Sequence, residues 1–147
     1  MGVSGLAWIA AAAATGIVLA LQGPVNAKMG AALTAPIAAA LVSSTVTATI
    51  ALGMLMLSGQ GVDWRAPPLW LYGAGGALGI CIITAAIVIT PKLGASTFLA
   101  AAIFGQLAAG LILDHFGLIG MPQHAISFGR VAGVALVLAG AVLIRAF

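Results

Sequence analysis

Long apolar runs separated by short stretches rich in Gly, Pro and charge divide this chain into five segments. A helix that crosses a bilayer needs about 20 predominantly apolar residues, and each run is close to that length. Barrel strands would alternate apolar and polar side chains, whereas these runs are continuous and rich in Ala, Leu and Gly. The pattern predicts an all-α integral membrane protein with five transmembrane helices per chain. The spans are expected at 3–26, 35–57, 69–90, 95–113 and 127–145, within one transmembrane domain covering 1–147.

Polar positions inside the runs are few and patterned. Helix one carries a stripe at helical spacing, Ser4, Trp8, Ala11, Thr15, Leu19, Gln22 and Asn26. Gln22 and Asn26 are four apart, so a helix puts them on one face; Pro24 lies between them. Two readings stay open: the amides line a cavity at membrane depth, or helix one has ended and they cap a turn. Trp8 is either a cavity wall or an interfacial belt residue. Lys28 and Gly30 are expected to mark a short connection, after which Thr34 or Ala35 caps helix two, with Pro36 in its first turn. Helix two holds five hydroxyls in seven residues over Ser43–Thr49. These suit tight packing, and Ser43 and Thr47 share a face that can extend a polar lining.

The stretch 58–68 is expected to be a loop. Helix three opens with Trp70 and Tyr72 at headgroup level, and its Gly75/Gly79 pair permits close backbone approach. Pro91–Gly94 reads as a tight turn, with Ser96 or Thr97 capping helix four. Gln106 falls near the middle of that span, either in a lining or in an interhelical hydrogen bond. A Gly- and Pro-punctuated loop follows from Asp114, in which Asp114 and His115 are expected at the rim as titratable groups. Asp114, His115 and His124 lack the ligand number and spacing of a dependable metal site, so no metal is expected. In helix five, Arg130 is expected to snorkel to the interface. Gly129, Gly133 and Gly140 share a face with Leu136, which suits either packing within the chain or subunit association.

Composition sharpens the class. The 147 residues are 63% hydrophobic and 5% charged, with mean hydropathy +1.27; a soluble domain carries about 25% charged residues. The lipid bilayer is thus the expected surrounding. The start of the chain lacks the basic n-region of a signal peptide, and none is expected. Five cations against two acids give a formal charge of +3, too dispersed for nucleic acid, which is not expected as a partner. Cys81 is the single cysteine; no disulfide is expected, and no cofactor. No nucleophile–base pair, metal set or carboxylate dyad assembles at membrane depth, so the chain is not expected to be an enzyme.

Five spans put the termini on opposite sides. Lys28, Lys92 and Arg145 then share one side, and Arg65 and Arg130 the other. Orientation follows the Lys/Arg bias of the loops, and three against two is almost none. The expectation is insertion in both orientations and an antiparallel homodimer, a ten-helix inverted-repeat bundle of the kind that many secondary transporters use. A paralogue of opposite orientation is the other possible partner.

The run Leu21-Gln22-Gly23-Pro24-Val25-Asn26-Ala27 resembles the Gln-Gly-x-x-Asn signature of the YdcZ-like family, a branch of the drug/metabolite transporter superfamily. So do Thr90-Pro91-Lys92-Leu93-Gly94-Ala95, Gly105-Gln106, and Leu113-Asp114-His115-Phe116-Gly117-Leu118-Ile119-Gly120, in the family's order and over essentially the whole chain. The resemblance implies a bacterial inner-membrane protein of five helices, half the ten-helix unit of the superfamily, and a transporter without a defined substrate. It also implies a contrast with the related four-helix multidrug exporters, which carry a glutamate in helix one. Here no Asp or Glu is expected inside a span, so a neutral, amide- and hydroxyl-lined cavity is expected instead, suited to neutral, zwitterionic or amphipathic solutes.

Together these features predict transport of small metabolites or drug-like solutes by alternating access in a dimer. Gln22, Asn26, Gln106, Thr15, Ser43 and Thr47 line the cavity, Trp8 and Tyr72 form its walls, and the glycine faces of helices three and five pack helices or subunits. The alternative is a non-transporting membrane subunit or assembly partner whose polar residues serve only helix contacts.

Overall fold

Apolar helices in lipid must satisfy every backbone group internally, and the computed structural model is helical through almost all of its length. It describes residues 3–147, with side chains from Gly5 onward; Ser4 of the helix-one stripe lies outside the described side chains. The elements are α1 (Val3–Ala32), α2 (Pro36–Ser58), α3 (Leu69–Leu93), α4 (Ala95–Phe116) and α5 (Phe128–Ala146), with a short 3-10 turn over Leu118–Gly120. All five α-helices are long and apolar enough to span a membrane. Large apolar side chains are exposed along every one of them, as expected where lipid tails are the solvent.

The chain forms two compact units, Met1–Lys92 and Leu93–Phe147. In the first, α1 packs on α2, and a small core of Ala39, Ala40 and Ile87, flanked by Met29 and Ile83, joins α2 to α3. Gly30 belongs to this junction: a Cβ there would stand 3.0 Å from Ile87 Cγ2 and 3.5 Å from Pro36 Cα. Small residues let helix backbones approach closely in lipid. In the second unit α4 packs on α5.

Several helix ends differ from expectation. Lys28 and Gly30 form no connection; α1 runs through both to Ala32. Gly30 is there for close packing. The turn is Leu33–Ala35, closed by Leu33 N–H to Met29 O at 2.9 Å and Ala35 N–H to Gly30 O at 3.1 Å. Ala35 occupies the N-cap of α2 without a side-chain cap, while Thr34 takes a left-handed φ of 52°. Pro91–Gly94 is likewise no tight turn: α3 passes through Pro91 to Leu93. Gly94 alone breaks the chain, at φ 81°, and α4 starts directly after it without a cap from Ser96 or Thr97. α1 and α3 continue through Pro24 and Pro91, each of which lacks the N–H that would bond the carbonyl four residues back. Finally, α4 extends to Phe116, closed by left-handed Gly117, whose N–H bonds to Leu113 O. Asp114 therefore lies in the last turn of α4 rather than in the loop.

Candidate functional site

Within the first unit, the polar motif of α1 meets α3. Gln22 and Asn26 both lie inside α1, which removes the reading in which they cap a turn. They part in environment: Asn26 is 5% exposed, whereas Gln22 is exposed. Gly23 is buried, and a Cβ on it would stand 3.2 Å from Thr90 Oγ1. The buried stripe is thus Gly23, Asn26 and Gly30, and Gln22 sits on its flank. Thr90 is 6% exposed and its hydroxyl has no hydrogen-bond partner. Helix threonines usually return their hydroxyl to the carbonyl four residues back. Thr15 (to Ala11 O, 3.0 Å), Thr45, Thr47 and Thr49 all do so. Thr90 stands apart from them, directly before Pro91.

Other expected cavity residues are dispersed. Trp8 is 77% exposed. The hydroxyl hydrogen of Thr47 goes to Ser43 O at 2.9 Å, so Ser43 and Thr47 are joined along α2 itself. Tyr72 donates to Trp64 O at 2.8 Å and ties the 59–68 loop to the start of α3, while its ring stays exposed. Gly75 and Gly79 have no other helix within 4 Å of where a Cβ would be.

The second unit gathers a different set. A groove of about 430 Å³ between α4 and α5 is lined by Gln106, Gly110 and Asp114 on one side and Arg130, Gly133 and Val134 on the other. The α4 residues are four apart, a single stripe. The absence of side chains at Gly110 and Gly133 opens the groove. Arg130 does not snorkel as a lone cation. Its Nη2 pairs with Asp114 Oδ2, the two side chains being 34% and 24% exposed respectively, and its Nη1 donates to His124 O at 3.1 Å. A charge held close to apolar helices finds an opposite charge more favourable than hydrated isolation. Ser127 caps α5 by accepting the Arg130 N–H, so Arg130 stands in the first turn of α5.

The connecting loop is pinned to the same helix end. His124 N–H bonds to Asp114 O at 2.8 Å, Gln123 Nε2 donates to His115 O at 2.9 Å, and His115 Nδ1 accepts the Ile126 N–H at 3.3 Å. His115 thus serves the loop, and Asp114 serves the groove. Gly133 borders this groove, and Leu136 is exposed. A second groove between α4 and α5, about 340 Å³ and lined by Phe104, Leu138 and Val142 among others, is almost wholly apolar.

Sequence reasoning placed Gln106 and Asp114 separately and did not connect either to Arg130. The available signal was the scarcity of charge: an acid closing one helix and a base opening the next, in a chain with seven charged residues.

Comparison with protein families matches residues 7–143 to the family described as "Putative inner membrane exporter, YdcZ". Comparisons with curated proteins and with solved structures gave no match.

Proposed function

The chain belongs to the YdcZ family of the inner membrane, and on that premise we propose that it is a secondary transporter of small solutes working by alternating access as an antiparallel homodimer. The observation that carries the reading is the α4–α5 groove, where Gln106 and the Asp114–Arg130 pair concentrate polarity between two otherwise apolar helices. Polar and ionisable groups at such positions are expensive and mark solute pathways. Gln106 contacts the solute there. The near balance of Lys and Arg between the two sides supports insertion in both orientations, and two opposed copies make the ten-helix inverted repeat on which alternating access is built. The open glycine faces of α3 and α5, with Leu136, are the surfaces on which copies or helices pack.

Orientation tests the assembly. After Cys81→Ala, single cysteines placed near each terminus are probed in cells with an impermeant thiol reagent. About half of the molecules label at each terminus if both orientations are populated; uniform labelling at one terminus rules out the antiparallel dimer. Solute flux in proteoliposomes tests the activity. Gln106→Leu, with folding intact, is expected to lower flux at least tenfold, and unchanged flux removes Gln106 from the pathway.

A further inference from the structure

We infer that the α4–α5 groove is a binding site for a small zwitterion, whose anionic end is taken by Arg130 and whose cationic end is taken by Asp114. The inference rests on the reading of the chain as a solute transporter and gives that transporter its substrate class. Arg130 and Asp114 are already paired, and both line the groove rather than facing away from it. An opposite-charge pair of this kind discriminates by what remains when it opens. A zwitterion entering between the two side chains gives each of them an opposite charge in exchange for the one it leaves. A purely cationic solute would leave Arg130 unpaired, and a purely anionic one would leave Asp114 unpaired; an uncompensated charge among apolar helices is the strongly unfavourable outcome.

The remaining features fit the same ligand. Arg130 carries a long flexible side chain whose second donor is held only by the His124 carbonyl, at 3.1 Å, so the guanidinium can swing while its backbone stays fixed by the Ser127 cap. Gln106 lies two helical turns below Asp114 on the same stripe, about 12 Å along the axis, beyond the reach of a headgroup but suited to a polar atom at the far end of the solute. Between them Gly110, Gly133 and Val134 leave an apolar channel. A volume of about 430 Å³ is within the usual range for small-molecule sites. The expected ligand is thus a compact ammonium–carboxylate or ammonium–phosphate headgroup on a modest apolar body.

The test is equilibrium binding to the full chain in lipid nanodiscs, with L-leucine and glycine betaine as zwitterions and L-leucine methyl ester and N-acetyl-L-leucine as singly charged controls. At least one zwitterion is expected to bind, and leucine at least tenfold more tightly than either of its derivatives if it is the one. The charge-free double variant Asp114→Asn/Arg130→Gln is expected to fold and to lose at least tenfold in affinity. The charge-swapped Asp114→Arg/Arg130→Asp is expected to return to within about threefold of the parent, because the pair is restored with its poles exchanged. Binding of neither zwitterion, equal binding of the singly charged derivatives, or wild-type affinity in a folded charge-free variant overturns the assignment. Flux in proteoliposomes is read separately. Flux of some solute without zwitterion selectivity defeats this site while leaving transport standing, whereas selective binding without any flux defeats transport alone.

Discussion

The two units of this chain treat polarity in opposite ways. Where α1 meets α3, two neutral polar side chains are buried: Asn26 and Thr90 lie beside Gly23. Between α4 and α5, a partly exposed ion pair and the neutral, exposed Gln106 edge an open groove. The first arrangement suits a joint between helices, since small and neutral groups let backbones close on one another. The second suits a ligand, since a charge left accessible in an apolar setting retains most of its capacity to bind. In a membrane, the presence of polar groups says less than their accessibility.

Overpacking the joint is the strongest way to break this contrast. Gly30→Leu would drive a side chain into Ile87 and Pro36, whose atoms already stand 3.0 and 3.5 Å from a Cβ at that position. A loss of about 2–3 kcal/mol is expected, read by denaturant unfolding in micelles. Gly79→Leu on α3, which no other helix approaches within 4 Å, should leave monomer stability unchanged or raise it by up to about 1 kcal/mol, through the higher helix propensity of Leu. If Gly79→Leu costs as much as Gly30→Leu, the glycine face of α3 is already packed in the unassembled protein, and the joint is not special.

These glycines also show what the sequence can convey about such a chain. The five spans follow from hydropathy alone, because a run of apolar residues in lipid has only the helix available to it. Helix ends were harder to place. Gly30 and Pro91 are breakers in water, yet here one is a contact point for Ile87 and the other lies within α3. Gly94 and Gly117 do end helices, and what distinguishes them is a positive φ, 81° and 59°, a property of the backbone path that residue type does not reveal. The groove was half readable. Gln106 stood out by its depth in a span, but the partnership of Asp114 with Arg130 joins residues sixteen apart on different helices. It depends on a loop folded back by His115, Gln123 and His124. Thr90 differed from the threonines that bond to their own helices in standing directly before Pro91, but its burial against Gly23 joins residues far apart in the chain.

Cutting the ion pair probes the other unit. Asp114→Ala leaves Arg130 without its carboxylate, and a loss of about 1–2 kcal/mol is expected, moderated by the partial exposure of both groups. A double-mutant cycle with Arg130→Ala should yield a coupling of about 1 kcal/mol. Coupling indistinguishable from zero would mean that the pair is held by the helices around it and contributes nothing to the α4–α5 joint. That result would weaken the contrast, for a singly charged solute could then open the pair without penalty. Ser127→Ala removes the hydroxyl that caps α5 and is expected to cost about 1 kcal/mol. It should also shift the register of Arg130, so the Asp114 coupling measured in that background should fall by about half or more. An unchanged coupling would show that the cap plays no part in aiming the guanidinium.

The smallest expected effect bears most directly on why a buried joint should hold a polar group with nothing to bind. Thr90→Val keeps the shape of the side chain and deletes the hydroxyl that has no partner. An unsatisfied buried polar group is unfavourable, and replacing it with an apolar group of the same shape is nearly neutral or stabilising. The unassembled protein should therefore gain between zero and about 1 kcal/mol in thermal or denaturant unfolding. The same substitution measured in the assembled membrane form separates two roles for the joint. A gain there as well means that Gly23, Asn26 and Thr90 form a packing contact that tolerates one idle hydroxyl. A loss of about 1 kcal/mol or more, confined to the assembled form, means that the Thr90 hydroxyl acquires a partner on assembly. In that case the α1–α3 joint is a second place where polarity awaits an occupant, and the difference between the two units is one of timing rather than of kind.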